Sequence, residues 1–566
     1  DQCGFNTSKN KLFTLKTVTD DNGDPKTLNF EVKKEEEEQI RICKQQFCSK
    51  EGIGYIEHWE HEINNLPDEY KQLFYKEYLQ RLKDQPKVKV EIVHRDALFG
   101  GRTESFTLYH ECKDDEVIEY HDVNGLYPHV LMEGRFPLMD PVIEDVEELK
   151  NHTKFLENLD KDHPDQTVKK RFAALIKCKV LAPRGLALPV LPSRSSHGKL
   201  LFSLCAKCSE QMSPSCTHTD DERALEIFVT SFELKLALEH GYRLLEIQYA
   251  EKYELCAGPN EPGLPNPHRK FISKAMAMKE HAEKTNNPSA RFLEKLAANT
   301  YWGALGRNPD TISTKFFEDV DKFYDFLNTD SVDIKEVHSL GKHLKVNYRT
   351  LHDMIETPKR TSLITAIFVT SQARIKLYNY LRMVGASRIL YTDTDSIIWI
   401  RKKDQPIPFD LSSRCGDMSC EITKDFPTGY IHKFISLGPK SYCYEIRDKV
   451  TKEVLKVSMR MKGISFTGFN KNTCLTFDDM HSILKGEIEK MQLEQRTLTV
   501  DPRYSSLHDH TFQKNVRLTM DKRIIHEDFT TSPYGFDPSL NKETEDLITH
   551  SLCNKKAKHV NFNIIY

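Results

Sequence analysis

Ser387-Arg388-Ile389-Leu390-Tyr391-Thr392-Asp393-Thr394-Asp395-Ser396-Ile397-Ile398-Trp399-Ile400 sets two carboxylates in a short polar gap between two apolar runs. Runs rich in Ile and Leu around such a gap predict a β-hairpin with Asp393 and Asp395 at its tip. Residues two apart on an extended chain share a face, so both carboxylates are expected to point the same way. Carboxylates held near water on a rigid strand pair suit a hard divalent cation such as Mg²⁺. That ion takes oxygen ligands and leaves room for substrate phosphates. A lone Asp-x-Asp is also an ordinary solvated turn, because turns favour Asp. A second carboxylate strand and a phosphate-binding element would separate the two readings.

Both are present upstream. Residues 116–122 read as a strand ending at Asp122, in the run Asp122-Val123-Asn124-Gly125-Leu126-Tyr127-Pro128. Pro128 suits the first position of a helix, expected through His129 and Met132. The free N–H groups of a helix start attract phosphate. Further on, Pro265-Asn266-Pro267 marks a boundary, and two helices are predicted over 270–285 and 289–305, turned at Asn286-Asn287-Pro288. Basic residues outnumber acidic ones along this pair. Arg291, Lys295 and Asn299 fall at i, i+4 and i+8, one stripe able to grip a triphosphate. An isolated stripe of this kind is otherwise a solvated basic face.

Smaller signals flank these. Phe99-Gly100-Gly101-Arg102 pairs two glycines, which allow close backbone approach to a ligand, with a cation. Gly438-Pro439-Lys440-Ser441-Tyr442-Cys443-Tyr444 starts a strand expected to hold Lys440, Tyr442 and Tyr444 on one face, where they could meet a nucleic-acid backbone and terminal base. Cys205 and Cys208 followed by Cys216 and His218 form two turn-like clusters that offer four ligands to a structural Zn²⁺. Otherwise they are reduced thiols in a loop.

At 566 residues several domains are expected. A net charge of −3 means that any nucleic-acid contact must come from local concentrations of Lys and Arg. The 14 cysteines are mostly scattered, which favours reduced thiols and an intracellular, non-secreted protein. No apolar run approaches the roughly 20 residues of a membrane span. The start lacks both an initiator Met and a signal-peptide pattern, so a fragment or processed product is expected. Residues 55–83 show helical periodicity, 88–93 alternate as a strand, and amphipathic helices are expected over 220–242, 361–383 and 477–493.

In order and wording, these motifs resemble a family B DNA polymerase of the protein-primed branch, as in phages, adenoviruses, linear plasmids and Polinton/Maverick-type transposons. Asp122 to Pro128 is similar to D-x-x-S-L-Y-P. Lys295 to Gly303 is similar to K-x3-N-S-x-Y-G, Tyr391 to Ser396 to Y-x-D-T-D-S, and Lys440 to Tyr442 to K-x-Y. Phe99-Gly100-Gly101 resembles the end of Y-x-G-G. The cysteine-bearing insertion looks most like the Polinton-type members.

The resemblance implies an α+β, right-hand polymerase with protein-primed-type insertions. Its parts are an N-terminal remnant (1–88), palm (89–140 and 361–465), an insertion with the zinc motif (141–265), fingers (266–310), a second insertion (311–360), and thumb with C-terminal region (466–566). It implies two-metal nucleotidyl transfer from dNTPs to a primer 3′ hydroxyl or a priming-protein hydroxyl, on a DNA primer-template. Asp122, the Val123 carbonyl and Asp395 would hold two Mg²⁺ ions, with Mn²⁺ able to substitute, and Asp393 would support them. Val123, Asn124, Gly125, Leu126, Tyr127, Arg291, Lys295 and Asn299 would bind the nucleotide, with the Tyr127 ring excluding a ribose 2′-OH. Gly100, Gly101, Lys440 and Tyr442 would meet DNA. A terminal protein is the further partner implied, no membrane is, and the nucleus is the expected compartment in a eukaryotic host.

Departures from the pattern are Gly125 for Ser, Thr300 for Ser, Trp302 for the fingers Tyr, and a missing Tyr before the Gly pair. No F-D-x-E-T-like exonuclease motif is found in 1–95. The competing expectations are a degenerate transposon-derived DNA-binding protein without polymerase activity, and a nuclease or other two-metal phosphotransferase.

Overall fold

The computed structural model describes residues 93–159, 171–259, 261, 263–329, 331–340, 343–350, 361–501 and 506–541. The stripe over 55–83 and, but for Val93, the strand over 88–93 lie outside the described residues. All described residues belong to one compact unit, Val88–Tyr566.

Among the described residues the largest element is a nine-stranded sheet. Its strands are β1 (Thr103–Ser105), β2 (Tyr109–Glu111), β3 (Glu116–Val123), β4 (Ile389–Asp393), β5 (Ser396–Lys402), β6 (Met418–Cys420), β7 (Gly429–Gly438), β8 (Ser441–Asp448) and β9 (Val454–Arg460). The order is β1-β4-β5-β3-β7-β8-β9, with β6 also on β3 and β2 on β7, and every pairing is antiparallel. Strands more than 270 residues apart in the chain therefore lie side by side at its centre.

The unbroken apolar run Ile397-Ile398-Trp399 follows from burial of both faces of β5. Ile397 and Trp399 join the core cluster that contains Phe368, Ala373 and Leu377, whereas Ile398 joins Tyr391, Phe434 and Tyr442 on the other side. The first cluster is built around a 22-residue helix, Leu363–Val384, capped by Ser362 and ended by Gly385 at φ 87°. Burial of Thr365–Tyr378 forces the polar side chains there to find partners. Gln372 donates to the Arg135 carbonyl at 3.0 Å. Arg374 makes a two-pronged ion pair with Glu233 at 2.8 Å on each side, and also donates to the carbonyls of Phe99 and Gly100.

The described residues of 141–265 are built on a four-stranded antiparallel sheet in the order Val142–Ile143, Arg243–Glu254, Phe172–Leu181, Leu225–Thr230. The single helix expected over 220–242 is wrong. The stretch is a short helix Asp220–Arg223, the strand Leu225–Thr230, then a helix Ser231–Glu239. The β-branched and aromatic run Ile227-Phe228-Val229-Thr230 prefers a pleated buried surface. Thr230 then starts the helix by accepting a hydrogen bond from the Glu233 N–H.

The paired helices are α1 (Arg269–Lys284) and α2 (Pro288–Leu305), with Asn287 capping α2 and Pro288 in its first turn. Residues 313–350 form a three-stranded sheet with a helix at Val320–Leu327. In the C-terminal region the helix expected over 477–493 stops at Leu484, where Gly486 turns the chain at φ 77°. Met491 then opens a two-stranded ribbon, Met491–Asp501 with Ser506–Val516. No helix of the described residues is long and apolar enough to cross a membrane.

Candidate active site

The β4–β5 hairpin brings the acidic residues to the middle of the sheet. Asp393 pairs with Ser396, leaving Thr394 and Asp395 as the two turn residues. The two carboxylates thus do not share a strand face, because a turn breaks the alternation that would have aligned them. Thr394 sits in the left-handed region at φ 62°, a conformation costly for a β-branched residue. Contacts to the preceding segments hold it there. Its N–H donates to the Arg102 carbonyl at 2.7 Å and its hydroxyl to Asp393 at 3.1 Å.

Gly101 lies directly against this tip. A Cβ on it would fall 2.7 Å from Thr394 Cγ2 and 3.0 Å from Thr394 Cα. Gly101→Ala is therefore expected to displace the tip and lower the melting temperature by several degrees. The double variant Gly101→Ala, Thr394→Gly should recover much of it. Thermal melts of the single and double variants check this, and equal losses in both would refute it.

Asp393 is fully engaged. It accepts from Lys440 Nζ at 2.9 and 3.1 Å, from Thr103 at 2.9 Å and from Thr394, with the Tyr391 hydroxyl at 3.5 Å. Lys440 is itself fixed by donating its backbone N–H to Tyr391 at 2.8 Å.

Asp395 and Asp122 are different. Ser396 pairs with Asp122, and the Val123 N–H donates to the Asp395 carbonyl at 2.8 Å, so the turn residue Asp395 lies beside the end of β3 that carries Asp122. No side-chain donor of the described residues reaches either. Burial pushes the Asp122 carboxyl up to about 7, and Asp395 and Glu421 push the same way, against Lys424 and Lys295. Burial likewise raises Asp395 to about 6, with Asp393 and Glu421 adding, against its own backbone N–H and Lys440. Crowded, half-buried carboxylates that raise one another call for positive charge. The donors are all hard oxygens, so this pair fits divalent magnesium or manganese.

The remaining expected residues divide. Lys295 on α2 is exposed, and its charge is felt at Asp122; Asn299 is exposed one turn further on. Arg291 is tied back to Glu283 of α1 at 2.7 Å. Tyr127 packs on Trp302 with ring centroids 5.0 Å apart, and Trp302 donates to the Ala366 carbonyl. Burial lifts the Tyr127 phenol to about 12, so it stays neutral. Gly125 begins the helix Leu126–Glu133 at φ 58°, a reason for Gly where the resemblance has Ser.

Asn124 staples a loop, donating to the Ser412 carbonyl at 2.8 Å and accepting from Ser419 at 3.1 Å; Leu126 is core. Gly100 is exposed beside the Arg374 contact. Tyr442 is buried, stacked with Tyr444 and packed against Tyr391, so it supports the hairpin from behind. The one-face arrangement with Lys440 is not observed, since Lys440 lies in the turn before the strand at φ 60°.

Two residues escaped sequence reasoning. Thr103 reaches Asp393 from β1, and Glu421 follows β6 close enough to raise both Asp122 and Asp395. Only the nearness of Thr103 to the Gly pair hinted at the first, and nothing in the local sequence marks Glu421.

At a second place, Cys205, Cys208, Cys216 and His218 bring four ligand atoms within 4.8 Å of one another. His218 Nδ1 lies 3.6, 3.2 and 3.9 Å from the three sulfurs. A tetrahedral zinc with bonds of about 2.0–2.3 Å sets its ligands roughly 3.5–3.8 Å apart, so the four fit that ion.

Residues 68–384, more than half of the chain, match the family model described as DNA polymerase type B, organellar and viral, and the chain belongs to this family. It is the family that the motif order resembles. The match includes Asp122 and α1–α2 and ends before Asp393. Among solved structures, an orthorhombic crystal form of Phi29 DNA polymerase is 18% identical, with 74% of this chain and 62% of that chain covered and a TM-score of 0.47. Phi29 DNA polymerase complexed with single-stranded DNA is 18% identical, with 68% and 56% covered and a TM-score of 0.44. The complex with primer-template DNA and incoming nucleotide substrates is 17% identical, with 88% and 76% covered and a TM-score of 0.47. The chain thus spans under two thirds of the length of the first two. No curated protein matches the sequence.

Proposed function

We propose that this protein carries out template-directed DNA synthesis. A dNTP would be joined to a primer 3′ hydroxyl, or to a hydroxyl of a priming protein, in replication of a mobile element, virus or linear plasmid. The observation that carries the proposal is that Asp395 lies next to the Ser396–Asp122 pair of β5 and β3, and that the charge of Lys295 on α2 is felt at Asp122. Family membership supports the same reading.

In this reading the central sheet is the palm and α1–α2 the fingers. Asp122 and Asp395 bind the metal ions, with the Val123 backbone beside them. Divalent magnesium bound there would ease loss of the hydroxyl proton and balance the charge of the leaving pyrophosphate. Lys295 and Asn299 hold the triphosphate, with Arg291 joining them only by leaving Glu283. Tyr127, backed by Trp302, forms a flat apolar floor under the sugar. Lys440 and Thr103 keep Asp393 still, and Lys440 also faces the primer end. A structural zinc at Cys205, Cys208, Cys216 and His218 belongs to the same reading. The protein would act inside the cell, and in the nucleus of a eukaryotic host.

Wild-type protein with Mg²⁺ and dNTPs should extend a primer annealed to a template, and Asp395→Ala should not. Equal background signal from both would overturn the proposal.

A further inference from the structure

A strap, residues 520–536, returns from the end of the two-stranded ribbon and crosses the outer edge of the central sheet. Just before it, the Thr519 N–H donates to the Leu437 carbonyl at 2.7 Å, and Thr519 packs against Gly438, two residues before Lys440. Within it, Lys522 donates to the Thr103 carbonyl at 3.1 Å. Arg523 is 3% exposed. It lies 3.7 Å from Glu104 and 4.3 Å above the Phe106 ring. Arg102 donates to the same Glu104 from the other side at 2.8 Å.

The strap then folds back on itself and pairs with the chain after β1. The Thr531 N–H donates to the Phe106 carbonyl, and the Leu108 N–H to the Phe529 carbonyl, both at 2.8 Å. Its far end docks on the cysteine cluster. The Leu204 N–H donates to the Tyr534 carbonyl at 2.8 Å, and Tyr534 shares a buried cluster with Cys205 and Cys208. Gly535, at φ 86°, lies so close to Cys205 that a Cβ on it would come within 2.5 Å of Cys205 Cβ. Arg184 clasps the other half of the cluster through the carbonyls of Cys216 and His218, and its own carbonyl accepts from the Asp537 N–H.

One end of the strap therefore rests on ligand-bearing residues, and the other on the segment whose Thr103 holds Asp393. We propose that zinc at Cys205, Cys208, Cys216 and His218 is a latch: it keeps the strap closed over β1 and so fixes Thr103 and the Lys440 turn against Asp393. This rests on the zinc assignment above. Without the metal the three sulfurs and the imidazole have no common centre, and the surface that receives Tyr534 and Gly535 loses its shape. With the strap open, Arg102 and Glu104 lose Arg523, and Thr103 loses Lys522. The ligands themselves touch no part of the Asp122–Asp395 pair, so the effect on that pair is one of positioning.

The test uses the whole protein and amide hydrogen exchange. Elemental analysis should find about one zinc per chain. A pyridyl chelator that takes zinc and leaves Mg²⁺ should then speed exchange at Leu108, Leu204 and Thr531 by at least about tenfold, with β3 and β5 unchanged. Primer extension should fall, and return on adding Zn²⁺ but not on adding Mg²⁺. Gly535→Val keeps all four ligand side chains while its added side chain presses on Cys205, so the strap end should be pushed off and show the same fast exchange, with zinc content measured alongside. Absence of zinc from protein prepared without chelators overturns the site itself. Zinc that leaves without changing exchange in the strap, or normal exchange in Gly535→Val, overturns the latch and leaves the site standing.

Discussion

Asp122→Asn is expected to make the magnesium-free protein more stable at pH 8 while removing its primer extension. Burial and the Asp395 and Glu421 carboxylates raise Asp122 to about 7 in the folded protein, whereas an unfolded chain ionises it near the ordinary value of about 3.9. Between those values the native state holds a proton that the unfolded state has lost. Stability therefore falls as pH rises through this window, and the whole penalty is present above about 7. Asn carries no charge to penalise. For a half-buried group the gain is on the order of 1–3 kcal/mol, or a few degrees in Tm. Added Mg²⁺ should stabilise the wild type, because it binds only the folded pair, and should do little for the variant.

The loss in extension should be at least about 1,000-fold, as several kcal/mol of charge stabilisation disappears. Protons compete with metal for the wild-type pair, so extension should decline as pH falls from about 7 to about 6, and more Mg²⁺ should move that decline to lower pH. Thermal melts at pH 5 and pH 8, with and without Mg²⁺, check the first part. A variant less stable than wild type at pH 8 without Mg²⁺ would contradict it.

Arg374→Ala should be among the most damaging substitutions away from the carboxylates. It would strand Glu233, which is 1% exposed, and free the carbonyls of Phe99 and Gly100. Removing one partner of a buried pair costs about 3–5 kcal/mol, whereas replacing both by apolar residues is far milder. Arg374→Met with Glu233→Leu should thus be more stable than Arg374→Ala alone, as urea denaturation would show. Activity should not recover with it, because Gly100 and Gly101 lose the guanidinium that fixes their approach to Thr394. Full activity in the double variant would remove that positioning role.

The acidic hairpin and Asp122 were legible because each sits in a local pattern: apolar runs around a polar gap, and a strand giving way to a helix start. The basic helices were legible from period and turn residues, since Asn286-Asn287-Pro288 supplies both cap and first turn. What failed depends on partners remote in the chain. Alternation along a strand puts Asp393 and Asp395 on one face, but the register leaves Asp395 itself in the turn, and Thr394 keeps its backbone because Arg102 and Gly101 lie against it. The pattern Leu225, Phe228, Val229, Phe232 fits a helix by spacing, yet Leu225–Thr230 pair with Leu175–Val180 of a strand that nothing nearby announces. Glu421 acquires its meaning only from β6 lying on β3.

The pairing of Thr531 with Ser105 and Phe106 joins positions more than 420 residues apart. Such remote contacts close late, because the intervening loop must be brought together before they form. On a ribosome, the edge strand β1 would wait for this neighbour until residue 531 had emerged. A chain cut short of residue 520 would then present β1 without that neighbour and leave Thr103 without Lys522.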